Sequence, residues 1–286
     1  MINSMAIVGT LFTRNLGVFL RSRTAVVFAI SPVVLCVLFL VFFRTPTVSL
    51  ISDVVTGDQA YAATDAWIFG SVAMLSAFSS SISVLIEFLE DRRSGRFGLQ
   101  MASSVKRGQL VWGYLLSAVI VSIVVSVVIV VFGQIWALAA GQPVMYLGEW
   151  LMVLLAVVVS AILFTGINAI ALRFVVSQGA FGAYCLIMGT VAGILSFSYT
   201  LPQPGFTTAA GLLPFLQAAA LVRHPMLIPV SRGLDSSTVA DLNNALGTTI
   251  QFGGVWPQPL TILVLLVWSV VALIVGYLFL NRSLQN

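Results

Sequence analysis

Lysine occurs once in this chain, at Lys106, and histidine once, at His224; charged side chains of every kind make up only 8% of its 286 residues. Each scarcity excludes something. A phosphate-binding loop of the form G-x-x-x-x-G-K-[ST] needs a lysine that reaches the phosphates. Val105 precedes Lys106 where that pattern requires glycine, so the chain carries no nucleotide motor of this kind. A helix-borne zinc protease site needs two histidines four residues apart, and one histidine cannot supply it. A serine nucleophile needs a partnered base, and none accompanies Ser76 or Ser80 within their apolar segment. No covalent chemistry is expected, and the chain reads as a non-enzyme. Cys36 and Cys185 fall inside apolar stretches without disulfide or metal spacing, so they read as small buried hydrophobes and no metal site is expected. Soluble domains carry about 25% charge. At 8% charged and 59% hydrophobic, this chain could not cover the surface of a water-soluble globule.

What is present is a series of six long apolar runs, read as 24–43, 65–88, 110–132, 148–172, 179–199 and 259–280. About 20 apolar residues cross a hydrocarbon core of roughly 30 Å as a helix. A backbone without water must satisfy itself internally, and no barrel-like alternation is visible, so the expected fold is an all-α integral membrane domain with six transmembrane helices. The domain covers 1–286. Mid-span positions offer no buried acid or histidine of the kind ion-driven carriers use. The first apolar run begins only after Arg23 and lacks a small-residue exit, so it does not read as a cleavable signal.

Orientation follows from the basic residues. Arg14, Arg21, Arg23, Arg92, Arg93, Arg96, Lys106, Arg107, Arg173 and Arg282 fall on one side of the six spans, against Arg44, Arg223 and Arg232 on the other. This predicts a multi-pass protein of the cell membrane with both termini cytoplasmic. Within 1–23, Val8, Leu11, Phe12, Leu16, Phe19 and Leu20 share one helical face, while Thr10, Arg14, Gly17 and Arg21 share the other. That pattern predicts an amphipathic helix on the inner membrane surface; the alternative is a simple extension of the first span. The outer segment 200–258 contains an apolar stretch, 206–222, interrupted by Pro214. A seventh crossing there would place the C-terminus outside, so short helices dipping into the outer leaflet are expected instead.

Three polar features interrupt the apolar background. Ser76, Ser79, Ser80 and Ser83 recur at spacings of three and four and lead to Glu87, a stripe that either lines a substrate route or packs helices through hydroxyl bonds. Asn168 in the fourth span admits the same two readings. Gly189-Thr-Val-Ala-Gly193 places small residues four apart, which lets two helices approach closely and marks a candidate dimer seam. The loop 87–108 holds the densest charge, with Glu87, Arg92, Arg93, Arg96 and Arg107 around an apolar stretch containing Phe97, Leu99 and Met101. Exposed apolar residues between charges suit a cytoplasmic partner; the alternative is contact with anionic headgroups.

The surface helix, the charged loop from Glu87-Phe-Leu-Glu-Asp-Arg-Arg-Ser-Gly95 into Ser103-Ser-Val-Lys-Arg107, and the outer segment with Leu213-Pro214, His224-Pro225 and Arg232 follow one another in a set order. In that order the whole chain resembles the type-2 permease family of ABC exporters, the group with antibiotic-resistance, lantibiotic-immunity and polysaccharide-export members. The resemblance implies a membrane dimer joined to two separate ABC ATPase (nucleotide-binding) subunits, which would hold ATP and magnesium, this chain binding no cofactor. It implies that 97–104, ending at Ser104, is a coupling helix, that the first and fifth spans form the seam with Gly189 and Gly193, and that Pro214, His224, Pro225 and Arg232 belong to an outer gate. Many relatives carry Thr-Pro where this chain has Ser104-Val105, and Asn where it has His224. The expected partners are the ATPase, a second permease copy or paralogue, and membrane lipids, without nucleic acid. The expected function is outward movement of an amphiphilic or hydrophobic drug, lipid or peptide; the alternatives are a lipid-linked glycan and a non-transporting immunity or interaction protein.

Overall fold

A computed structural model describes residues 4–101, 105–175, 177–197, 213–249 and 258–284. Among them the elements are all helical: α1 Ser4–Arg21, α2 Arg23–Ile51, α3 Asp58–Arg93, α4 Arg96–Met101, α5 Arg107–Ala139, α6 Leu147–Leu172, α7 Gln178–Ser196, α8 Pro214–Ser231, α9 Ser236–Ala245 and α10 Gln258–Ser283. Six of them, α2, α3, α5, α6, α7 and α10, are long and apolar enough to cross a membrane, the make-up of a multi-pass membrane protein. Every expected span has its helix. Several helices outrun the apolar run that predicted them, because helix length follows backbone bonding and not hydropathy. Thus α2 continues past Arg44 to Ile51, and α5 continues to Ala139.

The core is organised by α3, which at 36 residues is about 54 Å long. It is buried on nearly all sides and touches α1, α2, α4, α5, α6, α7 and α8. Its sequence explains this: alanine, serine and glycine dominate 60–81, and small side chains let neighbouring backbones come close. A Cβ added at Gly70 would lie 3.1 Å from the Arg223 Cα of α8, and one at Gly133 of α5 would lie 2.7 Å from the Phe69 ring. By contrast α2, α7 and α10 leave most of their apolar surface uncovered, as helices facing lipid or another chain would.

The strongest helix pairing outside α3 joins α6 to α10. Gly166 lies so near α10 that a Cβ there would meet the Ala272 carbonyl carbon at 2.4 Å, and one at Gly276 would meet the Gly166 carbonyl oxygen at 2.9 Å. Ser269 Oγ donates to the Val159 carbonyl across the same contact.

The segment between α7 and α10 departs from expectation. Pro214 does not interrupt its helix: it occupies the first turn of α8, where its missing N–H is no loss. From there α8 runs antiparallel to α3 for 18 residues, from Phe215 beside Phe78 and Phe164 to Val230 near Ala62 and Asp65. Most of its side chains are buried. It is a core element of the bundle. Residues 206–212, where that helix was expected to begin, lie outside the described residues, as do 198 and 199 at the end of the fifth expected span.

The α6–α10 seam gives a direct test. Gly166→Leu forces overpacking worth about 1–3 kcal/mol and should lower the thermal midpoint of the purified protein by roughly 3–10 °C. Gly148→Leu, on the same helix where an added Cβ meets nothing within 4 Å, should leave that midpoint unchanged.

Candidate functional site

At the C-terminal end of α3, four elements converge on one carboxylate. Asp91 is 2% exposed. Its Oδ2 accepts from Arg14 Nη2 of α1 at 3.0 Å and from the Tyr114 hydroxyl of α5 at 2.5 Å, while Oδ1 accepts from Arg96 Nη1 of α4 at 3.0 Å. Burial works against the Arg14 charge, yet the bonds to Tyr114 and Asp91 outweigh it and raise the guanidinium pKa above its ordinary value. One turn earlier Glu87 is also buried, and the Ser22 hydroxyl at the α1–α2 junction bonds to it. The two carboxylates therefore hold α1 at its middle and at its end. Beside them Leu11 of α1 packs against Gly113 of α5, where a Cβ would approach Leu11 Cβ to 2.8 Å.

This geometry corrects the reading of Phe97 as an exposed docking residue. Phe97 is 4% exposed and its ring lies 5.0 Å from Phe88 and 6.1 Å from Tyr114, with Phe88 and Tyr114 edge-on at 5.3 Å. The apolar side of the loop faces the bundle because an aromatic ring gains roughly 2 kcal/mol from such burial. Outward, α4 and its flanks present Arg93, Arg96, Gly98 and Arg107, with Arg92 half-buried. The side chains of Leu99 and Met101, and all of Ser104, lie outside the described residues.

Along the middle of α3, Ser76, Ser80 and Ser83 are buried and Ser79 is nearly so. Ser76 donates to the Ala73 carbonyl and sits 3.2 Å from Ser126 Oγ of α5, whose own hydroxyl also reaches Ala73. Ser79 and Ser83 bond back to the carbonyls of Ser76 and Ser80. Asn168 ties three helices: Nδ2 donates to Ser81 Oγ at 2.6 Å and the Phe78 carbonyl at 3.2 Å, and Oδ1 accepts from the Tyr184 hydroxyl of α7 at 2.6 Å. The bonds of Ser76 and Asn168 join helices, those of Ser79 and Ser83 stay within α3, and the buried Ser80 hydroxyl has no partner among the described residues. Gly189 and Gly193 are different, since an added Cβ at either meets nothing within 4 Å; they lie on α7 among the exposed Leu186, Ile187 and Ile194.

The N-terminal end of α3 carries a second buried carboxylate. Asp65 accepts Nε and Nη2 of Arg44 at 2.7 Å each, the Trp136 indole at 3.0 Å and the Gln142 amide at 2.8 Å. Nearby, Arg232 at the end of α8 donates Nη2 to both Glu149 oxygens at 2.5 Å, and Glu149 also accepts the Tyr146 N–H that opens α6. Of the other gate candidates, Pro225 is buried and His224 lines a pocket of about 260 Å³ with Ile228, Arg232 and Asn243. Their neighbour Arg223 is 1% exposed, donates Nε to Ser71 Oγ at 2.8 Å and lies 5.2 Å from the Trp67 ring. The sequence reading counted Arg223 on the outer side of the spans; α8 carries it to the level of Ser71, inside the second apolar run. No spacing in the sequence announced Tyr114 or Trp136 as partners of the two carboxylates, or Ser71 and Trp67 as partners of Arg223.

The class this defines is a helical multi-pass membrane protein in which buried carboxylates join helices at the two ends of α3 and neutral polar side chains join them between. No protein-family model matches the chain, and no curated protein matches it.

The Asp91 junction predicts a local effect. Asp91→Asn should leave Arg14 and Arg96 without their carboxylate and weaken α1 docking by about 1–2 kcal/mol, a buried pair discounted for two water-exposed arginines. Trypsin cleavage at Arg14 should then accelerate by roughly tenfold, with Tyr114→Phe giving a smaller increase. Equal cleavage rates for parent and Asp91→Asn would contradict the assigned junction.

Proposed function

We propose that this chain is the transmembrane subunit of an ATP-driven exporter of the ABC type-2 permease kind, working as a dimer with two separate ATPase subunits. The observation that carries the reading is α4. It is a six-residue helix hung between the two longest helices and joined through Asp91 to α1. A push on such an element reaches α1, α3 and α5 together, because one carboxylate and one aromatic cluster bind all four. The resemblance of the whole chain to that family supplies the source of the push. The only lysine, Lys106, has no phosphate-loop context, so the energy comes from another polypeptide.

In this reading the α4 end of the bundle faces the cytoplasm of a cell membrane, as the bias of ten basic residues against Arg44 and Arg232 at the other end favours, Arg223 being buried within the bundle. Both termini then lie inside, with α1 along the inner surface. ATP-induced closure of the partner subunits displaces α4 and α1, and two copies rock about a seam formed by α2 and α7. Gly189 and Gly193 suit that seam because a Cβ added at either meets nothing within 4 Å among the described residues and small residues permit close backbone approach. The cargo is an amphiphilic or hydrophobic drug, lipid or peptide, since the exposed faces of α2 and α7 are aliphatic and aromatic. The α8 helix and the Arg232–Glu149 pair stand at the release end.

Two substitutions test this without disturbing the buried side of α4. Gly98→Glu together with Arg93→Glu changes exposed positions only, Gly98 having open space around it. Capture of a co-expressed ABC ATPase should fall below about one tenth of the parent level, the loss of roughly 1.4 kcal/mol or more, while membrane insertion is retained. Undiminished capture would remove α4 as the docking element. For the seam, Gly189→Leu should lower the cross-linked dimer yield, and an unchanged yield would count against α7.

A further inference from the structure

Where α3 begins, a pocket of about 340 Å³ opens between Arg44, Asp58, Tyr61, Gln142 and Arg232. That size is within the range of small-molecule sites. Both guanidiniums on its wall are fixed from behind. Arg44 gives Nε and Nη2 to Asp65, and Asp65 is itself fixed by the Trp136 indole and the Gln142 amide. The Arg44 guanidinium also lies 4.9 Å from the Tyr61 ring and 5.9 Å from the Trp136 ring. Arg232 gives Nη2 to Glu149 and Nη1 to the Val144 carbonyl, and lies 3.5 Å from the Tyr146 ring. Arg44 Nη1 and Arg232 Nε take no part in these bonds. Arginine side chains carry about 2 kcal/mol of rotamer freedom, and here it is already lost before any ligand arrives.

The charges around the opening select a ligand class. Asp65 and Glu149 cancel the two arginines at long range, so a bare multiply charged anion gains little attraction from a distance. At contact the remaining N–H groups still donate strongly to an oxyanion. The rim adds Asp58, which is exposed and has no ion pair among the described residues. A ligand satisfies this wall when it carries an oxyanion and a cation together. The helix α5, whose exposed residues include the apolar Phe132, Ile135 and Leu138, ends just before the Ala140 and Gly141 that line the pocket.

We propose that this pocket is a headgroup site for an amphiphile bearing a phosphate ester and an ammonium group. The phosphate takes the open donors of Arg44 and Arg232, the ammonium pairs with Asp58, and the chains follow the apolar strip of α5. Ligand binding here does not depend on the exporter reading, so a negative result for either leaves the other standing.

The test is native mass spectrometry of the purified full chain with equimolar phosphatidylethanolamine and phosphatidylglycerol of identical acyl chains. The parent should retain the ethanolamine lipid about fivefold better, the upper end of what one exposed ion pair contributes. Asp58→Asn should remove that preference, and Arg44→Lys should lower retention of both lipids. Asp58 is exposed, so its variant keeps the test decisive if Arg44→Lys does not fold. Equal retention of the two lipids by the parent, or an unchanged preference in Asp58→Asn, overturns the proposal. Glycerophosphoethanolamine or inorganic phosphate binding as well as the lipid would also overturn it, assigning the pocket to a soluble phosphate compound.

Discussion

Two buried carboxylates on one helix hold this molecule together. Asp65 and Asp91 lie 26 residues apart on α3, about 39 Å along its axis, and each gathers donors from other helices. Asp65 binds Arg44 and Trp136, drawing α2 and α5 to one end, and Asp91 binds Arg14, Arg96 and Tyr114, drawing α1, α4 and α5 to the other. Apolar helices in lipid have no hydrophobic reason to prefer each other over acyl chains, so packing and polar bonds must set their arrangement. Between the two anchors α3 is lined with small residues, and the neighbouring helices close on it. Removing a carboxylate would leave its guanidiniums without their ion pair, a loss reduced by the partial exposure of Arg14, Arg44 and Arg96.

The same constraint explains α8. A helix carrying Arg223 can enter the bundle because Ser71, the Leu246 and Gly247 carbonyls and the Trp67 ring meet the guanidinium there, and because Gly70 leaves room for its backbone. Its far end is fixed by Arg232 on Glu149, which also opens α6. One segment thus connects α3, α6 and the α9 turn, and it places Arg232 beside the opening at the start of α3.

Much of the fold was legible in the sequence, because apolar runs of about 20 residues have few alternatives once water is absent. All six spans appear as helices, with ends displaced where backbone bonding continues past the apolar run, as at Ile51 and Ala139. The inward turn of Phe97 was not legible. A loop of alternating charge and apolar residues has the same composition whether its apolar side meets a partner or its own bundle, and only Phe88 and Tyr114 in space decide between them. Pro214 was read as an interruption of the apolar stretch because proline lacks an N–H, whereas at a helix start that loss is harmless and proline is favoured. The Asp91 junction joins residues 77 and 23 positions apart in the chain, a distance at which spacing carries no signal.

The proposed function makes this chain a conduit driven from outside itself through α4. Its most direct test is uptake of a fluorescent amphiphile into inside-out proteoliposomes, with and without a co-reconstituted ABC ATPase. Uptake that requires both the ATPase and ATP is the predicted result. Uptake by this chain alone, or driven by an ion gradient with no nucleotide present, would contradict it.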